Sequence, residues 1–344
     1  MHHQPYKTFF SLQYMPMLVP FEEMKSVFKR ILLALSFTEE KAEVCAGLFA
    51  GNSRDGVYSH GLNRFPVFVQ GVKEGIVDAQ AEPSLISTNG SIEHWDGNFG
   101  VGMYNATLAM NRGIEMATES GLGLVTLKNN NHWMRGGSYG WQAADRGCIG
   151  ICTTNTIANM PPWGGKDPTL GNNPVVIAVP RNNGEHVVLD MAVSQYSYGA
   201  LQEHKLKNTK LAVPGGYDEA GMLSDDPSAI LNSQRVLPVG FWKGSGLSLV
   251  IDVLLSSLTG GRTTKEVTAS GKEKGVSQLF LCIHKQELHD HLVNEIIAYT
   301  KSSGPVNEGG KISYPGENTM ATRKRNVLNG IPVNEKIWME VQQM

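Results

Sequence analysis

Short β-prone runs alternate with segments of helical periodicity through this chain, and no other feature limits its possible folds as much. The runs are rich in aliphatic residues and lie at 121–128, 148–155, 174–180, 186–193 and 276–283. Runs of this length are typical of strands. Helical spacing occupies 103–118, 138–145, 245–261 and 289–301. The sequence therefore predicts an α/β fold.

The N-terminal region follows a different pattern and reads as helical up to about residue 75. Apolar residues recur at helical spacing from Phe21 to Leu35, which predicts an amphipathic helix. A second helix is expected over about 39–50, with Ser36 and Glu39 at capping-box spacing. Residues 1–16 carry no periodic pattern and are expected to be a disordered extension.

Charge and cysteine content exclude several classes of protein. The formal net charge is −2 with both signs dispersed, so nucleic-acid binding is not expected. The longest early aliphatic run, 31–37, is too short to span a bilayer, so no membrane association is expected. Four cysteines lack CxxC spacing, which favours reduced thiols in a cytoplasmic protein.

The sequence gives no support for a serine hydrolase, a Rossmann or P-loop nucleotide site, or a metal site. The segment GGSYG at 136–140 matches a serine-hydrolase elbow around Ser138, but no strand runs directly into that serine. There is neither GxGxxG nor a P-loop, so a nicotinamide cofactor would need a scaffold other than the Rossmann fold. His284, His289 and His291 have no companion ligands at known spacing, and no metal site is predicted.

The segment VYSHGLNRFP at 57–66 places a histidine and an arginine four residues apart. Ser59 is a favoured N-cap, which would put His60 in a first helical turn with Arg64 on the same face. A guanidinium can bind a carboxylate with two hydrogen bonds, and an imidazole can supply a proton near neutral pH. Spacing alone leaves two interpretations open, a catalytic pair or two half-buried structural residues.

Several longer segments together resemble the malate/L-lactate dehydrogenase family, which lacks a Rossmann fold. The matching segments extend from about Met17 to the C-terminus. They are GVYSHGLNRFP (56–66), NHWMRGGSYGWQAA (131–144), GICTTN and MPPWGG (150–165), LDM and SYG (189–199), GFWKGSGLS (240–248) and YPGEN (314–318).

The resemblance implies a homodimer and a division of the chain into two domains. A helical domain would be formed by both chain ends, 17–75 with 284–344. An α/β domain at 76–283 would bind the cofactor on a largely antiparallel sheet. The cofactor would be NADH, with NADPH possible but weaker.

The resemblance also assigns roles to individual residues. His60 matches the proton donor, while Arg64 and His132 match positions that face the substrate. The cofactor contacts carry over onto His186, Val187, Val188, Leu189, Asp190, Met191, Ala192, Trp242, Lys243, Gly316, Glu317 and Asn318. The turn 181–186 is longer than expected for the family, and Glu317 with Asn318 departs from the usual residues there.

The activity implied is reduction of a 2-keto acid, with hydride added to the C2 carbonyl and a proton given by His60. The Trp-Met-Arg segment at 133–135 is typical of the branch that reduces 2,3-diketo-L-gulonate to 3-dehydro-L-gulonate. Malate, lactate, sulfolactate, ureidoglycolate and cyclic imino-acid substrates share the same core and stay as alternatives. A sugar-acid binding protein without turnover, or a serine hydrolase using Ser138, would be a different class.

Overall fold

The computed structural model describes residues 17–284 and 289–344, so the predicted extension at 1–16 lies outside the described residues. Its strands are β1 (Met17–Val19), β2 (Ser84–Asn89), β3 (Ile92–Asp96), β4 (Leu122–Asn131), β5 (Cys148–Thr154), β6 (Ala158–Met160), β7 (Leu170–Gly171), β8 (Val175–Val179), β9 (Val187–Met191), β10 (Gly216–Tyr217), β11 (Leu223–Ser224), β12 (Lys274–His284) and β13 (Ile331–Val333). Its α-helices are α1 (Phe21–Ala34), α2 (Glu39–Arg54), α3 (Phe65–Lys73), α4 (Gly102–Ser120), α5 (Gly137–Asp145), α6 (Tyr198–Leu206), α7 (Pro227–Ser233), α8 (Trp242–Thr259), α9 (Thr264–Ala269), α10 (Asp290–Lys301), α11 (Glu317–Asn329) and α12 (Glu335–Gln342).

The large sheet within these residues has seven strands in the order β2-β3-β4-β12-β5-β8-β9. The pair β3 and β4 is parallel, and the other neighbouring pairs are antiparallel. The late strand β12 lies at the centre, between β4 and β5. The prediction of an α/β fold with a largely antiparallel sheet is therefore confirmed.

Alternation along the central strands divides apolar side chains between the two faces of the sheet. On β12, Phe280 and Cys282 join a core with α4 and α5, while Leu279 and Leu281 pack with Ile251 and other residues around α8. Successive side chains of a strand point to opposite faces, so a strand covered on both sides must be apolar throughout. This is why the stretch 279–283 is a continuous apolar run.

A third core brings the two ends of the chain together. Phe28, Phe49 and Phe65 from α1, α2 and α3 pack in one cluster with Trp338 of α12. The short strands β1 and β13 pair beside it. Burial of each such aromatic side chain stabilises the fold by roughly 1.5–3 kcal/mol. The division into two domains at residues 75 and 284 stays a prediction.

One helix cap differs from its prediction. The side chain that caps α2 is that of Thr38, which accepts from Lys41 N at 3.3 Å. Ser36, predicted as the cap, instead has a left-handed backbone with φ of 66° just after α1 ends. The chain must reverse direction there, so Ser36 is placed in the turn and cannot cap the next helix.

Candidate active site

A cavity of about 950 Å³ lies beside the end of β9 and contains the side chains singled out around residue 60. Its lining includes two histidines and four residues of charged type, which are His60, His132, Arg64, Arg135, Asp190 and Glu273. The volume is at the upper end of what ligand pockets usually show. The fold thus brings together residues that lie as far as 213 positions apart in sequence, from 60 to 273.

The segment 57–66 is not the capped helix that its sequence predicts. Two 3-10 turns, Tyr58–His60 and Leu62–Arg64, precede α3, and Ser59 makes no capping hydrogen bond. Gly61 separates the turns because it packs directly on α2, where a Cβ atom would lie 2.8 Å from Ser53 N. His60 and Arg64 are therefore brought to one cavity by a broken turn.

The two histidines of the cavity lie against one another. The rings of His60 and His132 are stacked with centroids 5.7 Å apart and planes inclined by 19°. Burial lowers the pKa of His60 to about 3, and the charges of His132, Arg64 and Arg135 act in the same direction. Burial and Arg64 likewise lower the pKa of His132 to about 3. Both rings are neutral at pH 7.

Hydrogen bonds determine which nitrogen of His132 carries the proton. Met134 N donates to its Nδ1 at 2.9 Å, so the neutral ring carries hydrogen on Nε2. That nitrogen lies 3.9 Å from Glu273 Oε2. Burial raises the pKa of Glu273, and both Arg64 and a backbone hydrogen bond from Ile157 oppose that rise. Glu273 was not anticipated from the sequence, because an isolated glutamate in a polar loop has no pattern that marks it.

Arg64 lines the cavity without a carboxylate partner. Over residues 17–284 and 289–344, no carboxylate oxygen lies within 4.0 Å of its guanidinium nitrogens, and no hydrogen bond from them is found. A guanidinium has five N–H donors in a fixed geometry and no acceptor. Its donors are thus available for an anionic ligand.

Arg135 belongs to a buried charge cluster that the sequence did not reveal. Arg135 Nη1 donates to Asp55 Oδ2 at 2.9 Å, and Arg323 donates to both oxygens of Asp55 at 2.8 and 2.6 Å. Burial would raise the pKa of Asp55, but the hydrogen bonds and charges of the arginines, Arg323 foremost, hold it below its usual value. Arg135 Nε lies 3.5 Å from Asp190 Oδ2. The cluster connects the end of α2 with α11 and the edge of the cavity.

Part of the predicted cofactor segment faces the cavity. From β9 and its end, Val188, Leu189, Asp190 and Ala192 line it, and Gly316 and Asn318 do so from the start of α11. The predicted loop 302–318 ends at Gly316, since α11 begins at Glu317.

The backbone and carboxylate at this edge suit a nucleotide. Gly316 has φ of 98°, and a Cβ atom there would lie 3.0 Å from His186 O. Such a glycine at a helix N-terminus leaves backbone N–H groups accessible to phosphate oxygens. The exposed carboxylate of Asp190 can accept from a ribose hydroxyl. These residues fit a dinucleotide.

The remaining predicted cofactor residues do not line the cavity. His186 is buried, with Nδ1 accepting from Arg181 N at 2.9 Å and Nε2 3.0 Å from Asp145 Oδ1, so its ring is engaged in structure. Trp242 and Lys243 are exposed at the start of α8. Val187, Met191 and Glu317 likewise lie outside the lining.

Ser138 has a structural hydrogen bond in place of a catalytic base. Its Oγ donates to Asn52 Oδ1 at 2.9 Å, and the Nδ2 of Asn52 donates to the carbonyl of His60 at 3.0 Å. Ser138 lies in the first turn of α5, seven residues after β4 ends at Asn131. The strand that a nucleophile elbow requires is not there.

Comparison with known proteins decides the family. The family model for malate/L-lactate dehydrogenase matches residues 19–342. The chain belongs to the malate/L-lactate dehydrogenase family. It is thus an oxidoreductase that acts on the CH–OH group of donors.

Individual members of this family extend the comparison. The chain is 42% identical to 2,3-diketo-L-gulonate reductase of Citrobacter koseri and 43% identical to that of Pasteurella multocida. Each match covers 95% of this chain and the whole of the reductase. The solved malate dehydrogenase of Pyrococcus horikoshii is 28% identical, with a TM-score of 0.86 over 100% of this chain and 97% of that one.

The family membership supports a keto-acid dehydrogenase that uses a nicotinamide cofactor. In the described residues, no helix has both the length and the apolar character needed to cross a membrane.

Proposed function

We propose that this protein catalyses the NADH-dependent reduction of a 2-keto sugar acid, with 2,3-diketo-L-gulonate as substrate and 3-dehydro-L-gulonate as product. The observation that carries the proposal is Arg64, a cation without a carboxylate partner in the described residues, in the same cavity as His60. The names of the two reductases support the choice of substrate.

Arg64 would bind the substrate carboxylate, and this places the C2 carbonyl oxygen near His60. A guanidinium fixes the orientation of a carboxylate through two parallel hydrogen bonds. Holding the reacting groups in place supplies a large part of the rate. The nicotinamide would supply the hydride that adds to C2. His60 would give its proton to the carbonyl oxygen as negative charge develops there.

The substrate itself would raise the pKa of His60. In the ligand-free cavity, burial and the surrounding cations keep its imidazole neutral, with a pKa of about 3. A bound carboxylate neutralises the charge of Arg64 and favours the imidazolium form. The Oγ of Ser59 lies 3.2 Å from Nδ1 of His60, which leaves Nε2 to face the ligand. The ring of His132 stacks on that of His60 and would orient it.

The cofactor would be held along β9 and the start of α11. Support comes from the cavity lining by Val188, Leu189, Asp190 and Ala192 with Gly316 and Asn318. For Trp242 and Lys243, and for His186, Val187, Met191 and Glu317, the family resemblance is the only support. We propose NADH as the preferred cofactor, because Asp190 presents a carboxylate where NADPH would require a positive partner for its 2′-phosphate.

A homodimer is part of the same proposal. The buried side of α8 is formed by Gly244, Ser248, Ile251 and Leu255. Its other side is exposed and apolar, and comprises Leu247, Leu249, Val250, Val253 and Leu254. A helix that is apolar all round is normally buried on every side, and we propose that a second copy of the chain packs against the exposed side of α8.

A cytoplasmic location is also part of the proposal. The four buried, unpaired cysteines are consistent with a reducing cytoplasm.

The proposal is tested by a screen of NADH oxidation, followed by absorbance, over 2-keto acids that include 2,3-diketo-L-gulonate. We expect the highest kcat/KM with that substrate and a lower value when NADPH replaces NADH. A higher kcat/KM with oxaloacetate or pyruvate would instead assign the protein to the malate or lactate type. Binding of the sugar acid without NADH oxidation would identify a binding protein.

A further inference from the structure

Glu273 is a second charged group in the substrate end of the cavity, and the proposed reaction does not use it. It lies in the loop between α9 and β12 and lines the same cavity as His60 and Arg64. Its Oε2 is 3.9 Å from Nε2 of His132, whose ring stacks on His60. A negative charge so close to the site of an anionic substrate requires an explanation.

Burial raises the pKa of Glu273, and the charge of Arg64 and the backbone N–H of Ile157 oppose that rise by favouring the ionised form. The backbone N–H of Ile157 donates to its carboxylate, and the Nε2–H of His132 lies 3.9 Å from its Oε2. A carboxylate accepts hydrogen bonds and donates none. It can therefore bind hydroxyl groups of a ligand, and it repels a second anion.

The side chain of Asn159 also carries an oxygen that requires a hydrogen-bond donor. Asn159 also lines the cavity, and its Nδ2 donates to Asn172 Oδ1 at 3.1 Å. Its Oδ1 is buried and lacks a donor within the described part of the chain. A buried acceptor without a partner is costly, and a ligand hydroxyl group would satisfy it. Glu273 and Asn159 thus both bring a side chain with an acceptor oxygen to the lining of the cavity.

The position of the substrate tail follows from its two fixed ends. With its carboxylate on Arg64 and its carbonyl beside His60, the remainder of a small acid lies in the space next to His132. We propose that Glu273 is a specificity residue that selects 2-keto acids with an uncharged hydroxylated tail and rejects those with a second negative charge. This inference rests on the proposed function and deepens it.

Charge repulsion is an effective means of discrimination between similar ligands. Specific sites often repel the wrong ligand as well as attract the right one. Oxaloacetate and 2-oxobutanoate have four carbons each and differ in the charge of the tail, so they isolate this effect. The wild-type enzyme is expected to favour 2-oxobutanoate.

The test compares kcat/KM for these two acids, with NADH, in the wild-type enzyme and three variants. Glu273→Gln removes the charge and keeps an acceptor, and Glu273→Asp keeps the charge. Glu115→Gln is the matched control, because Glu115 lies on the outside of α4, away from the cavity. We expect the ratio of oxaloacetate to 2-oxobutanoate to rise about tenfold or more in Glu273→Gln alone.

The outcomes separate this inference from the function on which it rests. If Glu273→Gln stays active and its ratio is unchanged within the error of the measurement, the charge does not select the tail and the inference is wrong. If Glu273→Asp shows the same rise as Glu273→Gln, shape and not charge controls the choice. If the wild-type enzyme oxidises NADH with no 2-keto acid, including 2,3-diketo-L-gulonate, the proposed function fails and the inference fails with it.

Discussion

At the scale of single residues, the candidate site combines two neutral imidazoles with a guanidinium that has no carboxylate partner among the described residues. Burial and neighbouring positive charge lower the pKa of both His60 and His132 to about 3. The site therefore favours binding of an anion. The anion would pair with the guanidinium of Arg64 and would raise the pKa of His60, so that His60 can hold a proton. This agrees with the family to which the chain belongs, since malate and lactate are both carboxylic acids.

The role of His60 is tested by His60→Gln. We expect kcat with 2,3-diketo-L-gulonate to fall by about 10²–10⁴-fold, because general acid catalysis contributes that range. The Kd for NADH, measured by fluorescence titration, should change little, since the proposed cofactor residues lie along β9 and α11. Turnover equal to that of the wild-type enzyme would show that another group donates the proton.

The low pKa of His132 predicts how stability depends on pH. The pKa is about 3 in the folded chain and about 6.5 in the unfolded chain, so the unfolded state binds more protons below pH 6.5. Stability is lost as pH falls, by about 1–2 kcal/mol for this group between pH 7 and pH 5. His132→Gln should lose correspondingly less, as measured by urea unfolding at both pH values. An identical pH dependence in both proteins would contradict the prediction.

At the scale of elements, the site depends on how α2 supports the segment 57–66. Asn52 and Ser53 of α2 hold the carbonyl of His60 and the N–H of Leu62. Gly61 allows the two turns to lie against the helix. The helical spacing of His60 and Arg64 suggested that they share a face, but the contact with α2 decides their actual positions.

Gly61→Ala tests this contact. An added Cβ atom would lie 2.2 Å from Ser53 Oγ and 2.8 Å from Ser53 N, so the backbone must shift, at a cost of about 1–3 kcal/mol in the free energy of unfolding. The control is Gly71→Ala in α3, where no atom lies within 4 Å of the added carbon. That variant should gain about 0.5–1 kcal/mol from helix propensity. Equal urea midpoints for the two variants would refute the close-contact argument.

The charge cluster around Asp55 makes a second prediction at this scale. Asp55→Asn leaves Arg135 and Arg323 without their buried anion. We expect a loss of about 3 kcal/mol in the free energy of unfolding, because a buried charge that loses its partner is strongly destabilising. Glu115→Gln, at an exposed ion pair of α4, should change it by less than about 0.5 kcal/mol. A loss no larger than the control's would mean that the cluster is not important for folding.

At the scale of the whole molecule, the three cores place both ends of the chain beside the central sheet. The outer side of α8 is apolar and exposed, with Val250 60% and Val253 57% exposed. A monomer rarely exposes such a surface. The second copy proposed above would cover it.

The dimer is tested with Val253→Lys. A lysine on the exposed side of α8 would be buried without a partner in the proposed interface, so light scattering should give the mass of one chain where the wild-type protein gives two. Leu206→Lys is the control, because Leu206 is an exposed apolar residue on a different helix, at the end of α6. It should leave the dimer intact. Two chains in both variants would place the interface elsewhere.

The sequence alone predicted much of the framework because short-range periodicity encodes it. The apolar runs at 121–128 and 276–283 became β4 and β12, and the two glycines after α8 marked its end, where Gly260 has φ of 59°. Strands β2 and β3 were not predicted. In β2 every residue is exposed, so the strand has no buried face to produce a pattern.

The sequence by itself determined the fold class and the family, because long ordered motifs and repeating apolar positions are properties of the chain alone. It also predicted His60, Arg64 and His132 as site residues, which stays a prediction. Tertiary structure alone decided that Glu273 and Arg135 line the same cavity and that Asp55 binds Arg135. It also decided that His186 is held by Asp145 and lies outside the cavity. These residues are distant in sequence, and the charge, burial and hydrogen bonds that give each its role arise only when packing brings them together.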